Sequence, residues 1–248
     1  MNLEFELIAF GLITGFTSGF FGIGGGSILI PMLLVAGFAM KEAVAISIMQ
    51  MVFSSIYGSF LNSKKIKGLF RDGIILGVGA SVGGLFSGYF LPSIPDIYLQ
   101  YLFIAVLIYT IYTLFKAPAS QEIIQEDKNI FLLSFIGFCV GIFAMSIGIG
   151  GSLMLLPILV QFLKYDLKVA TALGLFFVIF SSIGGFISTS LYGNMLYYEG
   201  AIIGIGSLIG VYFGIKIKEK TKSTSYKKFV LLLNLFVLAT MIYKTVEF

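Results

Sequence analysis

Two short glycine-rich stretches, Gly22–Ser27 and Gly148–Ser152, contain the residues best suited to hold a ligand. The second repeats the first, and a proline follows both at the same distance. Because glycine costs up to about 1 kcal/mol per residue inside a helix, each stretch predicts a break followed by a new helix. The first N–H groups of a helix lack internal partners and carry partial positive charge. The pattern therefore predicts two helix starts that hold a small anion.

Hydroxyl and amide side chains near the breaks are candidates for the rest of such a site, because they donate to an oxyanion without carrying charge. Ser and Thr also bond back to their own helix, so single members can be purely structural. Gln50 aligns with Phe177 and marks an asymmetry between the two copies. Wider wall candidates are Thr17, Ser18, Ser146 and Thr171. The predicted substrate-binding residues are Gly22, Gly24, Gly25, Gly26, Ser27, Gln50, Ser54, Ser55, Gly148, Gly150, Gly151, Ser152, Ser181 and Ser182.

The residue types that most membrane enzymes use are missing from the sequence. The chain has no histidine, and its single cysteine, Cys139, lies in an apolar segment and can form no disulfide within the chain. Gly22-Ile23-Gly24 resembles the start of a dinucleotide motif, but no strand precedes it, and no GxxxxGK[ST] loop is present. We therefore expect no catalytic residue, no metal and no cofactor, and a protein that is not an enzyme.

Composition predicts the surroundings of these breaks. Of the 248 residues 58% are hydrophobic and 11% are charged, which is typical of an integral membrane protein. Long apolar runs without alternation favour membrane helices over a barrel. The net charge of +4 lies in short loops, so it predicts orientation and no nucleic-acid partner. The acidic first residues do not read as a removable signal peptide.

Ten apolar segments can be read along the chain, and the two that follow the breaks are the shortest. Twelve residues make about 18 Å of helix, whereas crossing the hydrocarbon takes about 30 Å. No Asp, Glu, Lys or Arg is predicted well inside a segment, which disfavours a carboxylate proton relay. The segments are roughly 3–21, 27–38, 43–61, 73–91, 98–115, 130–146, 152–163, 169–192, 200–215 and 226–243.

The whole chain reads as a tandem duplication. Residues 1–115 form a first membrane repeat, 116–129 a polar linker, and 130–248 a second repeat, within one transmembrane domain. Beyond the breaks a one-residue insertion shifts the alignment. The aligned pairs are Ser54-Ser55 with Ser181-Ser182, and Gly73, Gly77, Gly79 and Gly83 with Gly200, Gly204, Gly206 and Gly210. Glycines at this spacing, together with Gly214, are predicted to pack helices closely.

Loop charges predict that the two repeats have opposite orientations. The loop 62–71 is basic and its counterpart near Tyr192–Glu199 has no Lys or Arg, whereas 216–228 carries six lysines and its counterpart Pro92–Ile97 has none. Under the positive-inside rule, loops 62–71, 115–129 and 216–228 are cytoplasmic and both termini lie outside. If the two short segments instead returned to the side they entered from, the lysine-rich loop would lie outside, which disfavours that arrangement. The predicted fold is all-α, with two inverted-topology repeats of five hydrophobic segments each.

The stretch Gly15–Gly26 with Pro31, and its second copy Gly141–Pro157, resembles the TauE/SafE family of membrane permeases, the sulfite exporter family. The second copy departs from the first in having Ser152 in place of Gly26. The resemblance covers nearly the whole chain. It implies a multi-pass plasma-membrane permease for a small anion, such as sulfite, thiosulfate, an organosulfonate or a related organic acid.

Together these features predict a secondary transporter that works by alternating access between inverted repeats. A passive anion channel is the alternative within transport; a membrane enzyme and a scaffolding subunit are less favoured alternatives. The expected partners are a small anionic substrate and the lipid bilayer. The sequence leaves open the substrate's identity, the direction of transport, any coupling ion and the oligomeric state.

Overall fold

The computed structural model describes residues 3–66, 70–116, 129–165, 167–193, 195–221 and 223–246. Every regular element within these ranges is a helix. A 3-10 turn, Leu91–Ser93, follows the fourth helix, and a π-helical turn, Ile158–Phe162, continues the seventh. The α-helices are α1 Leu3–Phe21, α2 Gly26–Val35, α3 Met40–Ile66, α4 Phe70–Phe90, α5 Asp96–Lys116, α6 Ile130–Ser146, α7 Ser152–Pro157, α8 Leu167–Tyr192, α9 Tyr197–Lys220 and α10 Ser223–Val246.

Seven of the described helices contain a stretch long and apolar enough to cross a membrane, namely α1, α3, α4, α5, α8, α9 and α10. Large apolar side chains cover the outside of the bundle, and Phe60 and Phe131 are 74% and 85% exposed. Such side chains suit contact with lipid, while the helices satisfy their own backbone hydrogen bonds. The chain is therefore an all-helical multi-pass membrane protein, as predicted.

The helices that follow the glycine stretches are short. α2 has 10 residues, which make about 15 Å of helix, half of the hydrocarbon thickness. α7 has 6 residues and passes into the π-helical turn immediately after Pro157. Proline has no N–H to donate, which weakens the regular α-helical ladder at that point. Both helical stretches end slightly before the predicted bounds of 38 and 163, at Val35 and Phe162.

The prediction that residues 216–228 form a loop is wrong. α9 continues through Lys220 and α10 begins at Ser223, so most of this lysine-rich stretch is helical. Lysine is a good helix former, and its long side chain can carry its charge away from the apolar body of a helix, so a run of lysines does not by itself end one. The predicted loop 62–71 is likewise partly helical, since α3 runs to Ile66 and α4 begins at Phe70. Residues 117–128, most of the predicted linker, lie outside the described residues, and the sides on which the loops lie stay predictions.

Glycine rows allow α1 to pack along α9, and α6 along α4. A Cβ atom added at Gly15 would lie only 2.0 Å from the carbonyl oxygen of Ser207, and one added at Gly141 would lie 2.6 Å from that of Ala80. Only glycine permits backbones to approach this closely. The contacts advance in the same direction along both members of each pair: Gly11 with Ile203, Gly15 with Ser207 and Gly19 with Val211, and Gly137 with Leu76 and Gly141 with Ala80.

The glycines predicted to pack also join α9 to α3 and α4 to α8. The contacts are Gly200 with Met49, Gly204 with Phe53, Gly73 with Phe176 and Gly77 with Phe180. Both pairs are parallel, because the contacting residue numbers rise together. α3 and α8, in contrast, run antiparallel: Gly58 lies against Leu175, whereas Ala45 and Thr189 line one pocket. With 61% and 67% of their membrane stretches buried, α3 and α8 are the most enclosed of the long helices and form the centre of the bundle.

Candidate functional site

The two glycine stretches have the same backbone conformation. Each contains three glycines with a positive φ, and the last of the three, Gly25 or Gly151, caps the start of the following helix. Residues with a side chain rarely adopt this left-handed conformation. The duplicated sequence therefore specifies a duplicated chain break. The φ angles are 71° at Gly22, 79° at Gly24, 80° at Gly25, 67° at Gly148, 79° at Gly150 and 77° at Gly151.

The two breaks touch each other in the middle of the bundle. A Cβ atom at Gly26, where α2 begins, would lie 2.1 Å from the carbonyl oxygen of Gly148. That oxygen accepts a hydrogen bond of 2.7 Å from the Ser47 hydroxyl on α3. The first helix start is therefore fixed directly against the second break.

Both breaks also meet the same two side chains, Met51 of α3 and Val178 of α8. A Cβ atom at Gly24 would lie 3.3 Å from Met51 Sδ and 3.2 Å from Val178 Cγ1. One at Gly150 would lie 2.6 Å from the same sulfur and 3.4 Å from Val178 Cγ2. Met51 aligns with Val178 in the repeat, so the breaks converge where the equivalent positions of α3 and α8 meet.

The contacts of the two breaks correspond position by position but differ in chemistry. Gly25 lies against the side-chain amide of Gln50, within 3.0 Å of both of its polar atoms if a Cβ is added. Gly151 instead lies against the ring of the aligned residue, Phe177. The asymmetry predicted at Gln50 is therefore present in the site: one break has an amide beside it, and the other has an aromatic ring.

Several polar groups around the breaks are buried without a partner among the described residues. Gln50 is 0% exposed, and neither its oxygen nor its nitrogen forms a hydrogen bond. Leaving such a group unpaired costs about 1–3 kcal/mol, and native proteins rarely accept this cost without a function for the group. Hydroxyl oxygens in the same condition are those of Ser18, Ser27, Ser55 and Ser152.

The helix starts add backbone donors to this set. The first bonds within α2 are those from the N–H groups of Ile28 and Leu29 to the carbonyl of Gly25, at 3.2 and 3.1 Å. The N–H groups of Gly26 and Ser27 precede them, where a helix leaves its donors without internal acceptors. In α7 the N–H of Leu155 bonds to Gly151 at 2.8 Å. The starts of α2 and α7 therefore both carry backbone N–H donors at the breaks, in surroundings of low polarity.

The two aligned serine pairs, Ser54-Ser55 and Ser181-Ser182, differ in their hydrogen bonds. Ser181 lies at the second break, with its hydroxyl 3.5 Å from the carbonyl oxygen of Gly150, although its shorter bonds go to its own helix. Ser54 and Ser182 donate to carbonyls of their own helices, at 3.5 and 3.2 Å. Ser55 is buried, and its hydroxyl has no hydrogen-bond partner in the described part of the chain. Participation of these four hydroxyls in binding stays a prediction.

Sequence reasoning missed four residues that shape the site, namely Ser47, Met51, Val178 and Lys218. Ser47 precedes Gln50 by one helical turn, which is a usable signal because residues three apart share a helix face. Lys218 was assigned to a loop, yet it lies in α9, is 2% exposed, and donates to the Thr171 hydroxyl over 2.7 Å. Lys218 lies in the last turn of α9, beyond the predicted segment 200–215, so the expectation that no charged residue lies well inside a segment stays a prediction.

A pocket of about 290 Å³ with charged residues in its lining lies toward the other end of α8 from Thr171. Its lining includes Lys41 and Glu42 at the start of α3, Thr189 near the end of α8, and Leu91. It also reaches Ala45, the neighbour of Val44, and Val44 packs on Gly148. The pocket therefore approaches the second break from this end of the bundle.

Residues 7–241 match the sequence model of the family described as Sulfite exporter TauE/SafE. The chain belongs to the TauE/SafE family. Curated relatives are named as probable membrane transporter proteins. One from Methanocaldococcus jannaschii is 30% identical over 89% of this chain and 91% of the relative. Another, YunE of Bacillus subtilis, is 24% identical over 87% and 90%, and one from Haemophilus influenzae is 25% identical over 98% and 97%. No solved structure matches the chain significantly.

The match to the TauE/SafE family model covers both glycine stretches and all the predicted site residues. The resemblance carried by Gly15–Gly26 and its second copy is thereby confirmed. The family to which the chain belongs is one of membrane transporters, which agrees with its multi-pass fold.

Proposed function

We propose that this chain is a secondary transporter that binds a small oxyanion between the two glycine breaks. The observation that carries the proposal is the Gln50 side chain, which is fully buried, unpartnered among the described residues, and in contact with Gly25 at the start of α2. An amide donor beside the N-terminus of a helix forms a cradle for negatively charged oxygen.

Neutral donors suit a transporter because they can release what they bind. The backbone N–H groups of Gly26 and Ser27, the Gln50 amide and the hydroxyl of Ser152 are all uncharged. In surroundings of low dielectric constant their hydrogen bonds to an anion are stronger than in water. We infer that sulfur oxyanions or organosulfonates, which present several acceptor oxygens, are the substrate class.

We further infer that the two halves are inverted repeats that exchange roles during transport. The antiparallel course of α3 and α8, and the parallel pairing of α1 with α9 and of α4 with α6, support opposite directions for equivalent helices. Helix starts aimed at a substrate from inverted halves are a recurring design of transporters. The pocket beside Lys41 and the packed end beside Thr171 support a form that is more open at one end.

The test is uptake by proteoliposomes that contain the purified protein. Radiolabelled sulfite should enter down its gradient with saturable kinetics, and thiosulfate or methanesulfonate should compete. Gln50→Leu keeps the approximate volume of the side chain and should reduce sulfite uptake at least about tenfold, since one charge-assisted hydrogen bond is worth about 1.5–3 kcal/mol. Leu208→Met, on the partly buried side of α9, is a control that should keep wild-type uptake.

Three results would contradict the proposal. Failure of folded wild-type protein to move any of a panel of sulfur oxyanions and carboxylates would remove the transport function assigned to the anion site. Gln50→Leu with full uptake would remove the site itself. Uptake that never saturates and is accompanied by single-molecule conductance would replace the carrier mechanism with a channel.

A further inference from the structure

A lysine ammonium is buried beside the first glycine break. Lys218 lies in the last turn of α9 and is 2% exposed. Its Nζ donates to the hydroxyl of Thr171 over 2.7 Å and lies 5.8 Å from the centre of the Tyr226 ring. A buried charge is expensive in a membrane protein, where such residues face the interior and usually have a function.

The two residues around this ammonium contact the end of α1 and the break. The Tyr226 hydroxyl donates to the carbonyl oxygen of Phe21, the last residue of α1, over 2.9 Å. The backbone of Thr171 packs against Gly22, so that a Cβ atom there would lie 2.5 Å from the Thr171 oxygen. A single residue, Thr171, therefore connects the Lys218 ammonium to the break at Gly22.

A short series of contacts leads from this cluster toward the central site. Gly174 lies almost one turn beyond Thr171 on α8. A Cβ atom at Gly174 would lie 3.2 Å from the carbonyl oxygen of Gly22 and 3.0 Å from the Cβ of Ser152. Ser152 begins α7, and its hydroxyl has no partner among the residues that the structure describes. The ammonium and the second helix start thus approach the same backbone segment from two sides.

At the equivalent position of the other repeat, the three aligned residues are all apolar. Lys218 aligns with Leu91, Thr171 with Val44 and Tyr226 with Leu99, and all three counterparts are buried. Val44 packs on Gly148 as Thr171 packs on Gly22. Because apolar residues meet the packing demand at the second break, packing alone does not require a cation at the first. The polar cluster is an addition specific to one end of the bundle.

We propose that Lys218 and Thr171 form a cationic subsite that holds the oxyanion at the first break and favours doubly charged over singly charged anions. The inference rests on the proposed function, since the subsite serves the same substrate. A dianion gains twice the Coulomb attraction of a monoanion from one ammonium at the same distance, and this difference is greatest where water is excluded. Lys218 is in this sense a specificity-determining residue on the substrate's path.

The test compares two tetrahedral sulfur anions of different charge, sulfate and methanesulfonate, as competitors of radiolabelled sulfite uptake in proteoliposomes. Wild-type protein should be inhibited more strongly by sulfate. Lys218→Met should raise the apparent KM for sulfite about tenfold and abolish the preference for sulfate, because it removes the charge and keeps the chain length. Lys218→Arg should retain the preference. Leu208→Met, on the partly buried side of α9 and away from both breaks, should match wild type.

The outcomes separate the subsite from the proposed function. If wild-type protein takes up no anion of the panel, the proposed function fails and the subsite with it. If it takes up sulfite but shows no preference for sulfate, or if Lys218→Met retains both the wild-type KM and the wild-type preference, the subsite alone is overturned. The preference is a ratio measured on folded, active protein, so a lower yield of Lys218→Met does not imitate the expected result.

Discussion

The hydroxyl of Ser47 donates a hydrogen bond of 2.7 Å to the carbonyl oxygen of Gly148, two residues that lie in different halves of the chain. This bond fixes the second glycine break to the central helix α3. The same hydroxyl lies 2.5 Å from where a Cβ atom of Gly26 would be, so the start of α2 meets the bond as well. Both breaks therefore contact the same serine.

Replacing Ser47 with alanine should destabilise the protein by about 1–3 kcal/mol, because the buried carbonyl of Gly148 loses its partner. Denaturant or thermal unfolding in detergent measures the change. Ser207→Ala is the matched control, since Ser207 is equally buried but donates to Gly204 in its own helix. Equal losses in the two variants would contradict a special role for the Ser47 bond.

The glycines with positive φ should not tolerate side chains. Gly150→Ala forces a residue with a Cβ into a left-handed conformation at a cost of about 1–2 kcal/mol and places a methyl group 2.6 Å from Met51 Sδ. We expect membrane insertion to persist and sulfite uptake to fall strongly, and Gly24→Leu or Gly150→Leu should abolish uptake. Gly58→Ala is the control, because its nearest neighbour would be at an ordinary 3.4 Å. Unchanged flux in Gly150→Leu would mean that these glycines serve only in packing.

Gln50→Leu should separate stability from activity. Removing two unpaired buried polar atoms and keeping an apolar side chain of similar size should leave the unfolding midpoint unchanged or raise it, while uptake falls. A thermal melt and an uptake assay on the same preparation measure the two effects. A melting temperature several degrees lower would indicate that the amide has a structural partner instead of a ligand.

Tyr165, which lies between the π-helical turn and α8, predicts a pH dependence. Burial, and then the hydrogen bond to Asp72 and the charge of that carboxylate, raise the pKa of the Tyr165 hydroxyl. The unfolded chain releases this proton at a pKa of about 10. The contribution to stability is therefore fully present below about pH 10 and is lost as the pH rises toward the folded-state pKa.

Thermal unfolding of wild type and Tyr165→Phe between about pH 8 and 11 tests this dependence on either side of the ordinary tyrosine pKa. The wild-type midpoint should fall more steeply at the alkaline end, because Phe has no proton to lose. Parallel curves would show that Tyr165 ionises equally easily in the folded and unfolded chains.

Sequence reasoning was most successful where backbone geometry dictates the residue type. Glycine at Gly22, Gly24 and Gly25 is required by a positive φ, and the duplicated motif therefore predicted both breaks and the short helices behind them. The apolar runs predicted the long helices for a similarly direct reason, since hydrocarbon admits few backbone structures. The asymmetry of Gln50 and Phe177 also followed from alignment of the two copies.

What the sequence could not predict depends on contacts between distant elements. Lys218 was read as part of a loop because the apolar segment was predicted to end at residue 215, and only the fold, which brings the end of α9 beside Thr171, reveals its bond to that residue. Met51 and Val178 looked like ordinary apolar residues until the meeting of α3 and α8 placed them between Gly24 and Gly150. Periodicity and composition contain no information on such contacts between helices that are distant in the sequence.

The close pairing of α1 with α9 and of α6 with α4 has a consequence for the chain as a whole. Each repeat gives its first helix a long, glycine-lined face whose complement is supplied by the other repeat, as Gly15 with Ser207 and Gly141 with Ala80 illustrate. Neither sequence repeat can bury that face alone. We propose that the two predicted repeats are in this respect a covalently joined dimer with exchanged helices, and we expect that cutting the chain between α5 and α6 would yield two pieces that need each other to fold.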